Sequence, residues 1–110
     1  MEITEKQMDK CTVVAITGRL DTTNYSMLEK KLMDMIANQH DRIIVECSKM
    51  DYVSSSGLRI LLMALKKITL SKGKFALCGL QDNIREIFEI SGFTNIFEIH
   101  PNQEEALKVF

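Results

Sequence analysis

The sequence has no large excess of charge of either sign, and this limits the partners that charge alone would attract. Its 110 residues include 14 Lys and Arg and 15 Asp and Glu, for a formal net charge of −1. Such a balance provides no broad positive field for nucleic acid or for an acidic membrane surface. We therefore expect no direct nucleic-acid partner.

Long apolar runs are also absent. No stretch approaches the roughly 20 apolar residues of a membrane-spanning helix. The N-terminal residues Met1–Lys6 are charged, unlike a secretory signal. The sequence therefore predicts a cytoplasmic protein without a membrane segment. The length and the 45% hydrophobic content fit one globular domain, which we expect to span residues 1–110.

Cysteine is too scarce and too scattered to indicate a metal centre. The three cysteines, Cys11, Cys47 and Cys78, form no C-x-x-C pair. Cys47 and Cys78 lie inside apolar runs, where cysteine behaves as a small hydrophobic residue. We therefore expect no metal and no cofactor.

The usual catalytic motifs are missing too. The segment Val53–Gly57 lacks the first glycine of the G-x-S-x-G nucleophile turn, and no phosphate-binding P-loop is present. Only His40 and His100 could serve as a base for a serine nucleophile. We expect His40 at the opposite end of the sheet from the serines and His100 in a loop after the last strand. The sequence therefore does not predict an enzyme, although nucleotide binding at a helix N-terminus stays open.

What the sequence does contain is a regular alternation of strand and helix patterns. Strands are predicted at Thr12–Thr17, Arg42–Cys47, Phe75–Cys78 and Ile96–Ile99, after a possible edge strand at Met1–Glu5. Helices are predicted from Tyr25, from Ser56 to Leu70, from Asn83 to Ile90 and after Pro101. Gly18 is expected to end the first long strand, and Ser48–Asp51 is expected to be a linker. The order predicts an α/β fold with a small, mainly parallel sheet, an antiparallel edge strand and about four α-helices.

Two polar loops, Gly18–Asn24 and Asp51–Gly57, follow the first two long strands. Neighbouring parallel strands end at the same edge of a sheet, so Asp21 and the serine triplet are expected to share that edge. Hydroxyls at a helix start can cap its free N–H groups, and the same N–H groups and the helix dipole favour a phosphate. The residues alone leave capping and a phosphorylation switch both open for Ser54–Ser56.

Three segments, in this order, resemble the STAS domain and in particular the bacterial anti-sigma factor antagonists. Gly18–Asp21 is similar to the family's glycine-acid-leucine-aspartate segment. Tyr52–Leu58 is similar to its aspartate-serine-serine/threonine-glycine-leucine loop, and Ile87–Phe93 to the segment that closes the third helix. The resemblance covers essentially the whole chain. It implies a single STAS-like domain that binds a partner and is not an enzyme.

The resemblance also implies a phosphoacceptor. Alignment on Gly57 puts the phosphorylated serine of the family at Ser55, with Ser56 as second choice. Ser54 departs from the pattern because it replaces the usual aspartate, and Arg19 replaces an acidic residue. We expect the phosphosite environment and the partner contacts to include Asp21, Thr22, Thr23, Asn24, Ser54, Ser56, Gly57, Leu58 and Arg59.

By this resemblance, the unphosphorylated chain would bind an anti-sigma factor that is also a serine kinase, and so release a sigma factor. Phosphorylation would block the binding, and a PP2C-type phosphatase would act on the phosphoserine. The resemblance leaves two other kinds of function open. The chain could be a STAS subunit of another regulatory, stressosome or lipid-transport assembly, or a nucleotide-binding STAS module.

Overall fold

A five-stranded sheet forms the centre of the computed structural model, which describes residues 1–110. The strands are β1 (Glu2–Gln7), β2 (Thr12–Leu20), β3 (Arg42–Val53), β4 (Lys74–Cys78) and β5 (Glu98–His100). They lie in the sheet in sequence order. β1 is antiparallel to β2, and all other neighbours are parallel. The predicted α/β class, the mainly parallel sheet and the antiparallel edge strand are confirmed.

Four helices connect and flank the strands: α1 (Tyr25–Ala37), α2 (Ser55–Leu70), α3 (Asp82–Ile90) and α4 (Gln103–Leu107). Each of the first three joins one parallel strand to its neighbour. Since such crossovers are right-handed, α1, α2 and α3 lie on the same face of the sheet. The short α4 packs on the other face. No helix is both long and apolar enough to cross a membrane.

Alternation along the strands divides the apolar side chains between two cores. In β2, Val14 and Ile16 point toward the three-helix face, whereas Val13 points toward α4. The larger core contains 21 buried residues and the smaller one 7. The apolar face of each helix is therefore buried against the sheet, and its opposite face is more exposed.

β3 is longer than predicted. The predicted end at Cys47 and the linker at Ser48–Asp51 are wrong, because the strand continues to Val53. In two places β3 has one residue more than the facing part of β2, and each extra residue forms a bulge. The bulges interrupt the alternation of buried and exposed residues, so this half of the strand looks locally like a linker.

β2 also continues beyond its predicted end. Gly18 does not stop the strand, which reaches Leu20. The register shifts lie opposite Ala15–Thr17 and Gly18–Arg19, and Gly18 adopts φ +93°, a conformation that favours glycine. Both strands therefore extend to one common edge of the sheet.

The last strand begins two residues later than predicted. Ile96–Ile99 was the expected range, but β5 covers Glu98–His100 after a short 3-10 turn at Phe93–Asn95. Phe97 is buried in the core instead, and the centre of its ring lies 5.6 Å from the centre of the Phe88 ring. Aromatic packing therefore overrides the local strand pattern here.

Candidate functional site

The loops that follow β2 and β3 start side by side. Leu20 and Val53, the last residues of the two strands, are paired. The backbone N–H of Ser54 donates a hydrogen bond of 2.9 Å to the carbonyl oxygen of Leu20. The structure thus brings Asp21 and the serine triplet to one edge of the sheet.

Ser54 is the N-cap of α2. Its Oγ accepts a hydrogen bond of 3.2 Å from the N–H of Gly57, and its carbonyl oxygen accepts one of 2.9 Å from Leu58. Its backbone is extended, as is usual for an N-cap residue. The serine that replaces the expected aspartate therefore performs the capping that an aspartate would also perform.

Ser55 and Ser56 are the first two residues of α2. Ser55 is exposed and Ser56 is half-buried. The backbone N–H groups at these positions have no acceptor within the helix, because the helical hydrogen bonds begin only with Leu58. The more accessible hydroxyl of the two therefore stands beside open N–H groups at the positive end of the helix dipole.

Asp21 is held in the neighbouring loop by Thr23. Its Oδ1 accepts hydrogen bonds from the Thr23 hydroxyl (2.6 Å) and from the Thr23 backbone N–H (2.9 Å). Its Oδ2 lies 3.4 Å from Nε of Arg19. The bonds from Thr23, and to a smaller extent Arg19, lower the pKa of the Asp21 carboxyl. Asp21 is therefore a fixed negative charge on this edge.

The side chain of Asn24 stabilises the same loop through two hydrogen bonds. Its Nδ2 donates to the carbonyl oxygen of Arg19 at 2.8 Å, and its Oδ1 accepts from the N–H of Asp21 at 2.9 Å. Although Asn24 precedes α1 directly, its side chain makes no cap bond to that helix. Thr22, between these residues, is exposed. The side chain of Asn24 therefore stabilises the loop conformation and does not cap α1.

Two arginine–tyrosine pairs flank the serines. The guanidinium of Arg19 lies 4.1 Å from the ring centre of Tyr52, and that of Arg59 lies 5.7 Å from the ring centre of Tyr25. Of these four residues, only Arg59 was among the expected site residues, whereas Arg19, Tyr25 and Tyr52 were not. The signal that could have identified the tyrosines is their position, because Tyr25 directly follows the first polar loop and Tyr52 lies within the second. The pairs give the edge a basic and aromatic rim, a composition that is common in protein interfaces.

The histidines lie away from the serines. His40 is near the start of β2, where its Nδ1 is 3.5 Å from Oγ1 of Thr12. His100 ends β5, and its Nε2 is 2.7 Å from Oε2 of Glu98. The expected place of His40 is confirmed, whereas His100 belongs to the strand rather than to the loop that follows it. No group of three or more His, Cys, Asp or Glu residues is arranged to hold a metal ion.

The sequence and the structure both match known proteins. The STAS domain model matches residues 2–106. BtrV of Bordetella bronchiseptica, a candidate anti-sigma factor antagonist, is 32% identical over 110 residues, which is 100% of this chain and 95% of BtrV.

Among solved structures, a candidate anti-sigma factor antagonist of Thermotoga maritima superimposes with a TM-score of 0.93 at 20% identity, over 96% of this chain and 92% of that one. The anti-sigma factor antagonist SpoIIAA of Bacillus matches in two states. The unphosphorylated form has a TM-score of 0.83 at 19% identity, over 96% of this chain and 93% of its own. The phosphorylated form has a TM-score of 0.78 at 19% identity, over 97% of each chain.

Proposed function

The chain belongs to the STAS domain family, as an anti-sigma factor antagonist, and we propose that it acts by partner switching. Proteins of this kind are regulatory binding proteins rather than enzymes. In this proposal residues 1–110 form one STAS domain. Its unphosphorylated form binds an anti-sigma factor that is also a serine kinase, and a sigma factor is thereby released. Phosphate on Ser55 ends the binding, and a PP2C-type phosphatase restores it.

The exposure of Ser55 is the observation that carries the proposal. A kinase must reach the hydroxyl that it modifies, and Ser55 is exposed at the first position of α2, whereas Ser56 is half-buried. Ser54 is occupied by the cap bond to Gly57. Ser55 is therefore the best acceptor of the three, and Ser56 is the second choice.

A phosphate on Ser55 should alter the surface and leave the fold intact. It adds a charge of about −1.5 to −2. The open N–H groups and the dipole at the start of α2 favour that charge, so no unfolding is expected. The similar match of this chain to both forms of SpoIIAA supports a switch without refolding.

The loss of binding would then come from charge and bulk at the contact surface. The ionised carboxylate of Asp21 lies on the adjacent loop and adds to the negative potential of the phosphate. Ser54 is neutral, whereas the family usually has aspartate at this position. Before phosphorylation the surface of this chain is therefore less negative than that of a relative with aspartate. The phosphate charge is therefore large compared with the charge that this surface carries before phosphorylation.

The proposal is tested with the anti-sigma factor kinase recovered with this chain from its native cell and then purified alone. With ATP, mass spectrometry should find phosphoserine at Ser55 in the wild type and in Ser56→Ala, and none in Ser55→Ala. With ADP, the wild type and Ser55→Ala should bind the kinase, whereas Ser55→Asp should bind it at least about tenfold more weakly.

Two results would count against this function. One is tight binding of Ser55→Asp with no phosphoserine formed in the wild type. The other is recovery of an ABC-type ATPase, or of no ATP-binding partner, in place of a kinase. Recovery of an ABC-type ATPase would favour the alternative function as a STAS subunit of a lipid-transport assembly.

A further inference from the structure

α2 carries a stripe that faces away from the sheet and starts at the proposed phosphosite; its residues are exposed except for the half-buried Leu62. The buried residues of the helix share one side, which packs on the sheet: Gly57, Ile60, Leu61, Ala64 and Ile68. The opposite side consists of residues spaced three or four apart: Ser55, Arg59, Leu62, Lys66 and Thr69. We name these five residues the α2 stripe.

The far half of the α2 stripe borders an apolar groove. The groove has a volume of about 430 Å³ and lies between α2 and the segment before β5, lined by Leu62, Leu65, Lys66, Thr69, Leu70 and Ile96. Leu70 is 84% exposed and Ile96 is 50% exposed. Large apolar side chains that surround a surface groove are typical of a site for another molecule.

The charge along α2 has a single sign. The helix contains Arg59, Lys66 and Lys67 but no Asp or Glu, whereas α1, α3 and α4 all contain acidic residues. The chain as a whole has a net charge of −1. α2 is therefore a locally positive element of a nearly neutral chain, and it complements an acidic surface.

We propose that the α2 stripe and its groove bind an amphipathic, acidic helix of the anti-sigma factor; this inference rests on the proposed function. Leucine-like side chains of that helix fill the groove beside Leu70 and Ile96. Its acidic side chains face Arg59 and Lys66. Anchors spaced at three and four residues are the usual way in which a helix binds in an apolar groove.

The dimensions agree with a helix as the occupant. From Ser55 to Thr69 the stripe extends about 21 Å at 1.5 Å per residue, which matches three to four turns of a second helix. A membrane is a poorer occupant, because four of the five residues of the α2 stripe are polar. Surface helices that bind lipid instead present a protruding apolar face.

The position of Ser55 at the head of the α2 stripe links this surface to the switch. A phosphate there adds negative charge to a surface that attracts acidic side chains through Arg59 and Lys66. It therefore repels the partner helix at one end while the groove stays unchanged. The groove would set the affinity and Ser55 would control it.

A matched pair of variants separates the groove from general surface effects. Leu70 and Ile90 are 84% and 80% exposed, and only Leu70 lines the groove. With the purified, ADP-bound anti-sigma factor as probe, Leu70→Glu and Lys66→Glu should weaken binding at least about tenfold, and Ile90→Glu less than about twofold. All three variants should melt within a few degrees of the wild type.

A photo-crosslinker at position 70 identifies the occupant directly. The captured peptide of the anti-sigma factor should be helical in that protein and carry more acidic than basic residues. A basic or extended peptide overturns the inference, as does wild-type binding by Leu70→Glu. It is also overturned if Leu70→Glu instead abolishes dimerisation of the chain or its binding to phosphatidylglycerol vesicles.

The same measurements keep this inference distinct from the proposed function. If Ser55→Asp loses the anti-sigma factor while Leu70→Glu retains it, only the groove inference fails. If the wild type binds no anti-sigma factor, both fail together.

Discussion

Gly57 and Leu20 approach so closely that no side chain fits between them. A Cβ atom on Gly57 would lie 2.7 Å from Cγ of Leu20 and 3.0 Å from Cγ2 of Val53. Leu20 and Val53 are the buried last residues of β2 and β3. The first turn of α2 therefore rests directly on the edge of the sheet, and this contact fixes the position of the serines.

Gly57→Ala should destabilise the chain. Forcing a methyl group into a packed site costs about 1–3 kcal/mol. The better helix propensity of alanine returns at most about 1 kcal/mol. We expect the midpoint of urea unfolding to fall, while Ser56→Ala in the same turn changes it little. Equal stability of Gly57→Ala and the wild type would show that Leu20 can move aside.

Ser54 should be replaceable by aspartate but not by alanine. Ser54→Ala removes the oxygen that accepts the N–H of Gly57, at a cost of about 0.5–2 kcal/mol. Ser54→Asp keeps an acceptor and adds a negative charge at the helix N-terminus, worth about 0.3–1 kcal/mol. Urea unfolding near neutral pH should rank Ser54→Asp at or above the wild type and Ser54→Ala below it. The reverse order would mean that the cap bond contributes nothing.

Acid should remove the contribution of Asp21 to stability. Its pKa is lower in the folded chain than the ordinary value of 3.8, mainly because of the hydroxyl and N–H of Thr23. The unfolded chain therefore binds the proton more readily, so the stabilisation is complete above 3.8 and is lost as the pH falls through the lowered pKa.

Asp21→Asn provides the comparison for this pH effect. Its unfolding free energy should lie below that of the wild type near neutral pH, and the gap should close on acidification. A gap that stays constant down to strongly acidic pH would assign the effect to packing rather than to ionisation.

The cysteines should be inert in the folded chain. Burial raises the pKa of all three thiols, and that of Cys78 to about 12, with Glu46 adding to the effect at Cys47 and Cys78. Thiolate is the reactive form, so a thiol reagent such as DTNB near pH 8 should react with none of them within minutes. All three should react in denaturing urea. Rapid reaction of one thiol per folded chain would contradict this expectation.

Much of the fold could be predicted because the information is local. The spacing of Leu28, Leu32 and Met35 indicates α1, and the structure begins that helix at Tyr25 as predicted. The second half of β3 could not be recognised in the same way. This half of β3 remains a strand despite its bulges because it pairs with β2, whose residues are distant from it in the sequence.

The surroundings of Ser55 were predicted less completely, for a similar reason. Serines at a helix start are a local pattern, and the resemblance to STAS domains named Ser55 and Asp21. The contact of Tyr25 with Arg59 joins α1 to α2, and Ile96 joins the groove from a segment after α3. Contacts between separate elements leave no periodic trace in the sequence.

The sequence order of the strands in the sheet has a consequence for how the chain is made. No strand has to insert between two others, because each joins the edge formed by the one before it. The sheet can therefore grow during synthesis as each helix and strand leaves the ribosome, in the N-terminal-first manner usual for translation. Until Glu98–His100 is added, the edge of β4 is open to pairing with other chains, in addition to the outer edge of β1.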